Sequence, residues 1–513
     1  MDLDAYVSAA RRRMVGFEKT SPAEWDRIIE DGLKSAYAER DGLGLASMVQ
    51  LMGHLLESVG RYDDVLGEID HGLSFAVASP DSRLLLLGIK ASTLVATGDT
   101  EWAARLGKEG DLLLPACQSA IARAKYRAFR LSVRWQTLEA VAQAEVDGLL
   151  AELAALKLWH ERLFLLSWLI PYFAATRSRS EVRPWIRSLR LESAERENRW
   201  RAQDADTFEA WEQLVRGASL PAWDAATRRS RNAMAGWRHE LLRLRDALVR
   251  RDSQLASLSI DRIENQRARL GAADVGSVAA YRWVAESLLH TDALVPSCAQ
   301  PSNPMLNTLG LALARGEAVA AVGSQAEATS ALDRLTGLPV EVRSSVEWPV
   351  SRDRIEGLLA VRSGDLRRGR RSLEAAVEWS AANGYATELA TSRLQLAELC
   401  CSADLRLPEH HWRELRKQAI AEFRELAIDP AYAAYTVTRA LTLTGRDRWR
   451  NRLTRRERDV LQQLAAGATY KQAAGELGVT WQTVQTLAHR VYDKLGASGR
   501  IAAVNEAKRR GIL

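Results

Sequence analysis

The sequence predicts an all-α chain: a helical-hairpin repeat array followed by a four-helix terminal module. Three observations lead there. Apolar residues recur at three- and four-residue spacing along most of the length, and no convincing run alternates with the period of a strand. Two segments, Gly60-Arg61-Tyr62-Asp63 and Gly98-Asp99-Thr100-Glu101, open similarly and lie 38 residues apart. The last sixty or so residues carry helix start and stop signals in regular order.

The bulk numbers agree with that reading. A chain of 513 residues has enough surface to bury a sizeable core. Its 47% hydrophobic and 27% charged residues are those of a globular protein, and 13 prolines leave room for long helices. Four cysteines (Cys117, Cys298, Cys400, Cys401) are too few and scattered for a disulfide framework, which points to a reducing compartment. The start MDLDAYVSAARRRM puts acid before base and has no apolar centre, so it does not read as a signal peptide. The longest apolar stretch, residues 163–175, is interrupted by Ser167 and Pro171 and is too short to cross a bilayer. A soluble cytoplasmic protein without membrane contact is expected.

Taken in order, Ser21-Pro22-Ala23-Glu24 starts a helix, with a cap, proline at the first helical position and a returning glutamate. After Gly60, Val65, Leu66, Ile69 and Leu73 have helical spacing, and after Ser79-Pro80 a second helix runs through Leu84, Leu87 and Leu94. Such a hairpin leaves an apolar face that only the next hairpin can cover. Eight tryptophans (Trp135, Trp159, Trp168, Trp185, Trp200, Trp211, Trp223, Trp237) crowd into about a hundred residues. Packing is the favoured reading, and an aromatic-lined effector groove the alternative. Residues 291–304, TDALVPSCAQPSNP, form the best internal break, dividing helical regions 1–290 and 305–444. A later hairpin occupies 358–399, with Gly364-Asp365 opening one helix and Gly384 breaking it. These hairpins resemble tetratricopeptide-like repeats, with a period longer than the usual 34 residues.

A basic linker, 445–452, leads into the terminal module at 453–513. Between 446 and 513 there are 14 Lys and Arg against 6 Asp and Glu, a surplus of eight; the whole chain carries +6, so the rest is at −2. Positive charge gathered on one small module suits a polyanion partner. Thr454 with Glu457 reads as a capping box, Val460, Leu461 and Leu464 as a buried face, and Gly467 as a helix stop. Thr469 with Gln472 starts a second helix that Gly478 closes. Thr480 caps a third, whose stripe Val484, Leu487, Ala488, Val491, Leu495 faces the core while Trp481, Gln482, Gln485, Thr486 and His489 form a polar row suited to base edges. Gly496 ends it, and a fourth helix, 500–510, turns Ile501, Val504 and Ala507 toward the core or a partner.

The pattern Leu453-Thr454-x-x-Glu457-x-x-Val460-Leu461, Gly467, Thr483-Val484, Lys494-Leu495 resembles the LuxR/NarL-type helix-turn-helix, over about an eighth of the chain. That resemblance implies a regulator that binds double-stranded DNA, as a homodimer on its site. It makes Gln485, Thr486 and His489 the principal base-reading positions, flanked by Gln482 and Trp481. Lys471, Thr483, Arg490 and Lys494, with Thr480, become the candidates for phosphate contact. The chain departs from the family at Gln485, where lysine is common, at Leu487, where histidine is frequent, and at Ala473, where a larger aliphatic is usual. Loss of a fixed cation weakens phosphate attraction, although glutamine can bond an adenine edge in bidentate fashion. A scaffold with a degenerate DNA-binding module is the alternative function.

No GxxxxGK[ST] loop, post-strand GxGxxG, nucleophile elbow or HExxH helix is present, so no enzyme and no cofactor are expected. Cys400-Cys401 and His410-His411 carry zinc-binding atoms, but helical neighbours diverge by about 100° and make poor joint ligands. The input to the repeat region, an effector or a protein partner, is not encoded in any motif.

Overall fold

Helices joined by short turns make up the chain in the computed structural model, which describes residues 2–16, 21–57, 61–75, 79–220, 232–250, 252–265, 272–289, 306–400, 409–428, 455–495, 497 and 499–509. Among the described residues there are 24 α-helices and no strand, so the chain is all-α as the periodicity predicts. The first eleven are α1 (Leu3–Gly16), α2 (Pro22–Ala38), α3 (Gly42–Glu57), α4 (Tyr62–Phe75), α5 (Pro80–Thr97), α6 (Thr100–Leu113), α7 (Ala120–Gln136), α8 (Gln143–Ala155), α9 (Trp159–Thr176), α10 (Arg179–Glu195) and α11 (Arg199–Val215). Then come α12 (Ala233–Arg250), α13 (Ser253–Asn265), α14 (Ala272–Leu289), α15 (Leu306–Val322), α16 (Gln325–Thr336), α17 (Arg352–Ser363), α18 (Leu366–Asn383), α19 (Ala386–Cys400) and α20 (Glu409–Glu425).

Each helix packs on its successor, and the odd-numbered ones also pack on one another: α1 on α3, α3 on α5, α5 on α7, α7 on α9, α9 on α11. The cause is visible in which side chains are apolar. An even helix buries a single stripe, such as Val65 and Ile69 on α4, or Val146, Leu149, Leu150 and Leu153 on α8. The inner helices α5 and α9 bury residues on every side, as a helix sandwiched between layers must. The apolar stretch 163–175 is the middle of α9 and lies in the core. No helix among the described residues is long and apolar enough to cross a membrane.

The turn chemistry repeats with the packing. Gly98 (φ 93°) and Gly364 (φ 103°) each end an inner helix in the left-handed region open to glycine, and Asp99 and Asp365 then accept from Trp102 N–H at 3.1 Å and Arg368 N–H at 2.9 Å. Ser21 makes the expected capping box with Glu24. One apolar core runs from Ala124 to Cys400, with residues on both sides of 291–304, a break that lies outside the described residues. Trp135, Trp211 and Trp237 are buried in it, and Trp159, Trp168, Trp185 and Trp200 are half-buried, so packing accounts for the described members of the cluster. Trp223 lies outside the described residues. Cys400 is buried, Cys298, Cys401 and the His411 side chain are outside the described residues, and no group of three or more metal-binding side chains occurs among those described.

The interior also contains charge. Glu317 of α15 accepts from Arg245 of α12 at 3.0 Å, Arg354 of α17 at 2.7 Å and Trp348 Nε1 at 3.0 Å, while Arg354 reaches on to Glu388 of α19 at 2.5 Å. Arg238 of α12 pairs with Glu347 at 2.8 Å. Burial pushes the Glu317 carboxyl up, but Arg245 and Arg354 more than offset it and hold the group at about 2. Farther along, His54 of α3 and His160 of α9 share a hydrogen bond at 3.0 Å. Burial, with Arg201 and Arg11 nearby, holds His54 down at about 3, and burial likewise keeps His160 well below its ordinary value.

Candidate nucleic-acid interface

The last four helices, α21 (Arg455–Ala465), α22 (Tyr470–Leu477), α23 (Trp481–Leu495) and α24 (Arg500–Arg509), form a unit with its own core. Val460, Leu461 and Leu464 meet Ala473 and Ala474 of α22 and Val484, Ala488, Val491, Tyr492 and Leu495 of α23. Ala473 has no exposed surface, and the small side chain lets the short α22 lie close against its neighbours.

Local signals set each end. Thr469 accepts from Gln472 N–H at 3.3 Å while Gln472 Oε1 accepts from Thr469 N–H at 2.8 Å, the reciprocal capping box read from the sequence. Gly478 (φ 64°) ends α22, its N–H reaching the Ala474 carbonyl. Two residues later Thr480 Oγ1 accepts from Thr483 N–H at 3.2 Å and lies 2.8 Å from Thr483 Oγ1. Two capped helices joined by a turn of Gly478, Val479 and Thr480 are a helix-turn-helix. Thr454 and Gly496 lie outside the described residues, as does the linker 445–452.

The outer face of α23 is polar and open. Gln482, Thr483, Thr486, His489 and Arg490 are exposed, Trp481 retains 45% of its surface, and Gln485 is half-buried. Thr486 Oγ1 donates to the Gln482 carbonyl at 2.9 Å, so its hydroxyl faces outward as an acceptor beside a methyl group. The His489 ring rests edge-on against Tyr492, with centroids 5.9 Å apart. Lys471 and Thr480 are exposed on the preceding helix and turn, and the Lys494 side chain lies outside the described residues. Of the predicted core stripe, Leu487 is half-buried on the flank rather than inside. On α24 the buried residues are Ala503 and Ala507, Val504 packs beside them, and Ile501 is 78% exposed, away from the core.

Three contacts that set the angle of α23 escape sequence inspection. Tyr470 and Tyr492 join α22 to α23 through their hydroxyls at 3.1 Å. Arg500 donates from Nε and Nη2 to the Leu464 carbonyl at 3.0 and 2.6 Å, fastening α24 to the C-terminal turn of α21. Arg456 reaches the Leu477 carbonyl at 3.4 Å. Tyr492 could have been found, since it follows Val484 and Ala488 at four-residue spacing; the two arginines give no such signal.

Residues 451–507 match the family of bacterial regulatory proteins, luxR family. The chain is 48% identical over 61 residues to the probable transcriptional regulatory protein NarL of Mycobacterium tuberculosis, in strains CDC 1551 and H37Rv, covering 12% of this chain and 28% of that protein. It is 45% identical over 62 residues to the HTH-type transcriptional activator RamA of Corynebacterium glutamicum, covering 12% of this chain and 22% of that one. The chain thus spans less than a third of the length of the curated relatives it matches. No solved structure matches it. Residues 451–507 are a luxR-family helix-turn-helix domain at the C-terminal end of an all-α chain.

Proposed function

We propose that this chain is a sequence-specific DNA-binding transcription regulator that works as a homodimer on its site, in the cytoplasm, without enzymatic activity. The observation that carries the reading is the exposed polar row on α23, held on a capped and packed four-helix unit. Gln485, Thr486 and His489 read base edges in the major groove, with Gln482 and Trp481 at the entering end of the helix. Thr486, with its hydroxyl hydrogen already committed, accepts from an exocyclic amine or packs its methyl on thymine. Lys471, Thr480, Thr483, Arg490 and Lys494 contact phosphates on either side. The helical array, tetratricopeptide-like in its hairpins, receives an effector or protein partner that prefers one arrangement of the helices and so biases the terminal domain.

A second reading, a protein-binding scaffold with a degenerate DNA module, draws on Gln485 and Leu487, both half-buried where the resemblance calls for lysine and histidine. Selection of full-length protein on a random duplex pool separates the two. The regulator enriches paired half-sites about one helical turn apart, with affinity falling steeply with salt. Absence of duplex binding even at about 50 mM salt, where phosphate attraction is strong, refutes it.

A further inference from the structure

The arginines of the helical array are mostly held in ion pairs: Arg134 with Glu145, Arg162 with Glu192, Arg343 with Asp353. The last helix of the array departs from this. On α20, Arg416, Lys417 and Arg424 are exposed and make no ion pair among the described residues. They share one face, at positions i, i+1 and i+8, with Trp412 and Ile420 between them, and line an open groove of about 610 Å³. Two of the helix's acids are engaged elsewhere: Glu422 is paired with Arg393, and Glu414 accepts from Gln418 at 3.1 Å. The face is therefore cationic, with an aromatic and an aliphatic side chain set among fixed charges.

We infer that this face of α20 is a second duplex contact, gripping phosphates beside the site held by the helix-turn-helix. The inference rests on the DNA-binding reading above. Two features favour a duplex as the occupant. The charge is unneutralised and in rows, which is what a polyanion backbone requires. Only 26 residues separate Ile428 from Arg455, so fully extended chain spans at most roughly 90 Å, and the second contact forms at high effective concentration once the first is made. Guanidinium and ammonium groups without base-reading neighbours add affinity without sequence preference.

The test uses full-length protein and a 40-base-pair duplex carrying a site from the selection above, titrated between 50 and 200 mM salt. In the variant Arg416→Gln/Lys417→Gln/Arg424→Gln, three lost phosphate contacts flatten the log–log salt slope by about 2.7, so the wild type loses about 40-fold more affinity across that range than the variant does. Arg416→Gln and Arg424→Gln alone each take about 0.9 from the slope. A control with the same charge change on exposed residues elsewhere, Lys108→Gln/Lys157→Gln/Arg187→Gln, keeps the wild-type slope. An unchanged slope in the α20 variant overturns this inference and leaves the DNA-binding reading standing. An equal fall in the control also overturns it, because net charge alone is then responsible. Failure of the wild type to bind any duplex removes both readings, and circular dichroism verifies that each variant is folded.

Discussion

Replacing Glu317 by alanine tests whether the array is held by its interior charges. The carboxylate stands between Arg245 and Arg354 and also accepts from Trp348, so its removal leaves two guanidinium groups and an indole N–H without their partner. Arg354 is fully buried, and taking one member from such a group costs about 3–5 kcal/mol. The titration of the same residue supplies an independent figure. Its carboxyl is held at about 2 against an ordinary 4.5, which corresponds to about 3 kcal/mol favouring the folded state. Because the folded value is the lower one, that contribution is fully present above pH 4.5 and is lost as pH falls from 4.5 toward 2. Hydrogen exchange read by mass spectrometry on α15 and α17 isolates the local effect from the rest of a long array. At pH 7, Glu317→Ala should speed exchange of their slowest amides by about a hundredfold or more. In acid unfolding, wild type and variant should converge as the pH nears 2. A loss under about 1 kcal/mol at pH 7 refutes the reasoning, since exposed pairs already reach that value. So does an undiminished difference at pH 2.

Three further outcomes are expected. Tyr470→Phe removes one side of the hydroxyl bridge between α22 and α23 and should lower the stability of the terminal domain by about 1 kcal/mol in urea unfolding, with the packing of the ring intact. Gly478→Ala meets no atom within 4 Å, but it forces a Cβ into the left-handed region, so a loss of about 1–2 kcal/mol with no steric repacking is expected from the same measurement. The neutral His54–His160 pair binds protons more readily once unfolded, so thermal stability should fall as pH drops from 6.5 toward 3; His54→Gln, which can keep a hydrogen bond without titrating, should flatten that limb of the melting-temperature profile.

Much of the terminal domain could be read without coordinates. Thr469 with Gln472, Gly478, Thr480 with Thr483 and the stripe through Val484, Ala488, Val491 and Leu495 are all satisfied by atoms within one or two helical turns, so residue type and spacing suffice. Ile501 went astray because α24 has little surface to cover: Ala503 and Ala507 fill the available space, and the larger side chain is left outside. Gln485 and Leu487 sit at the edge of the buried face, where periodicity does not separate core from rim.

The sequence by itself determined that the chain is helical, where the described helices with strong caps begin, and which face of α23 is polar, since these depend on backbone bonding and side-chain spacing over a few residues. Tertiary structure decided the rest. Helix α12, with Arg238, His239, Glu240, Arg243, Arg245 and Asp246 in succession, has the composition of a solvated surface, yet it is buried on nearly all sides. Its charges are tolerated because Glu317 and Glu347 arrive from 72 and 109 residues away. Partners so distant are supplied only when the array closes upon itself, and no local pattern records that closure.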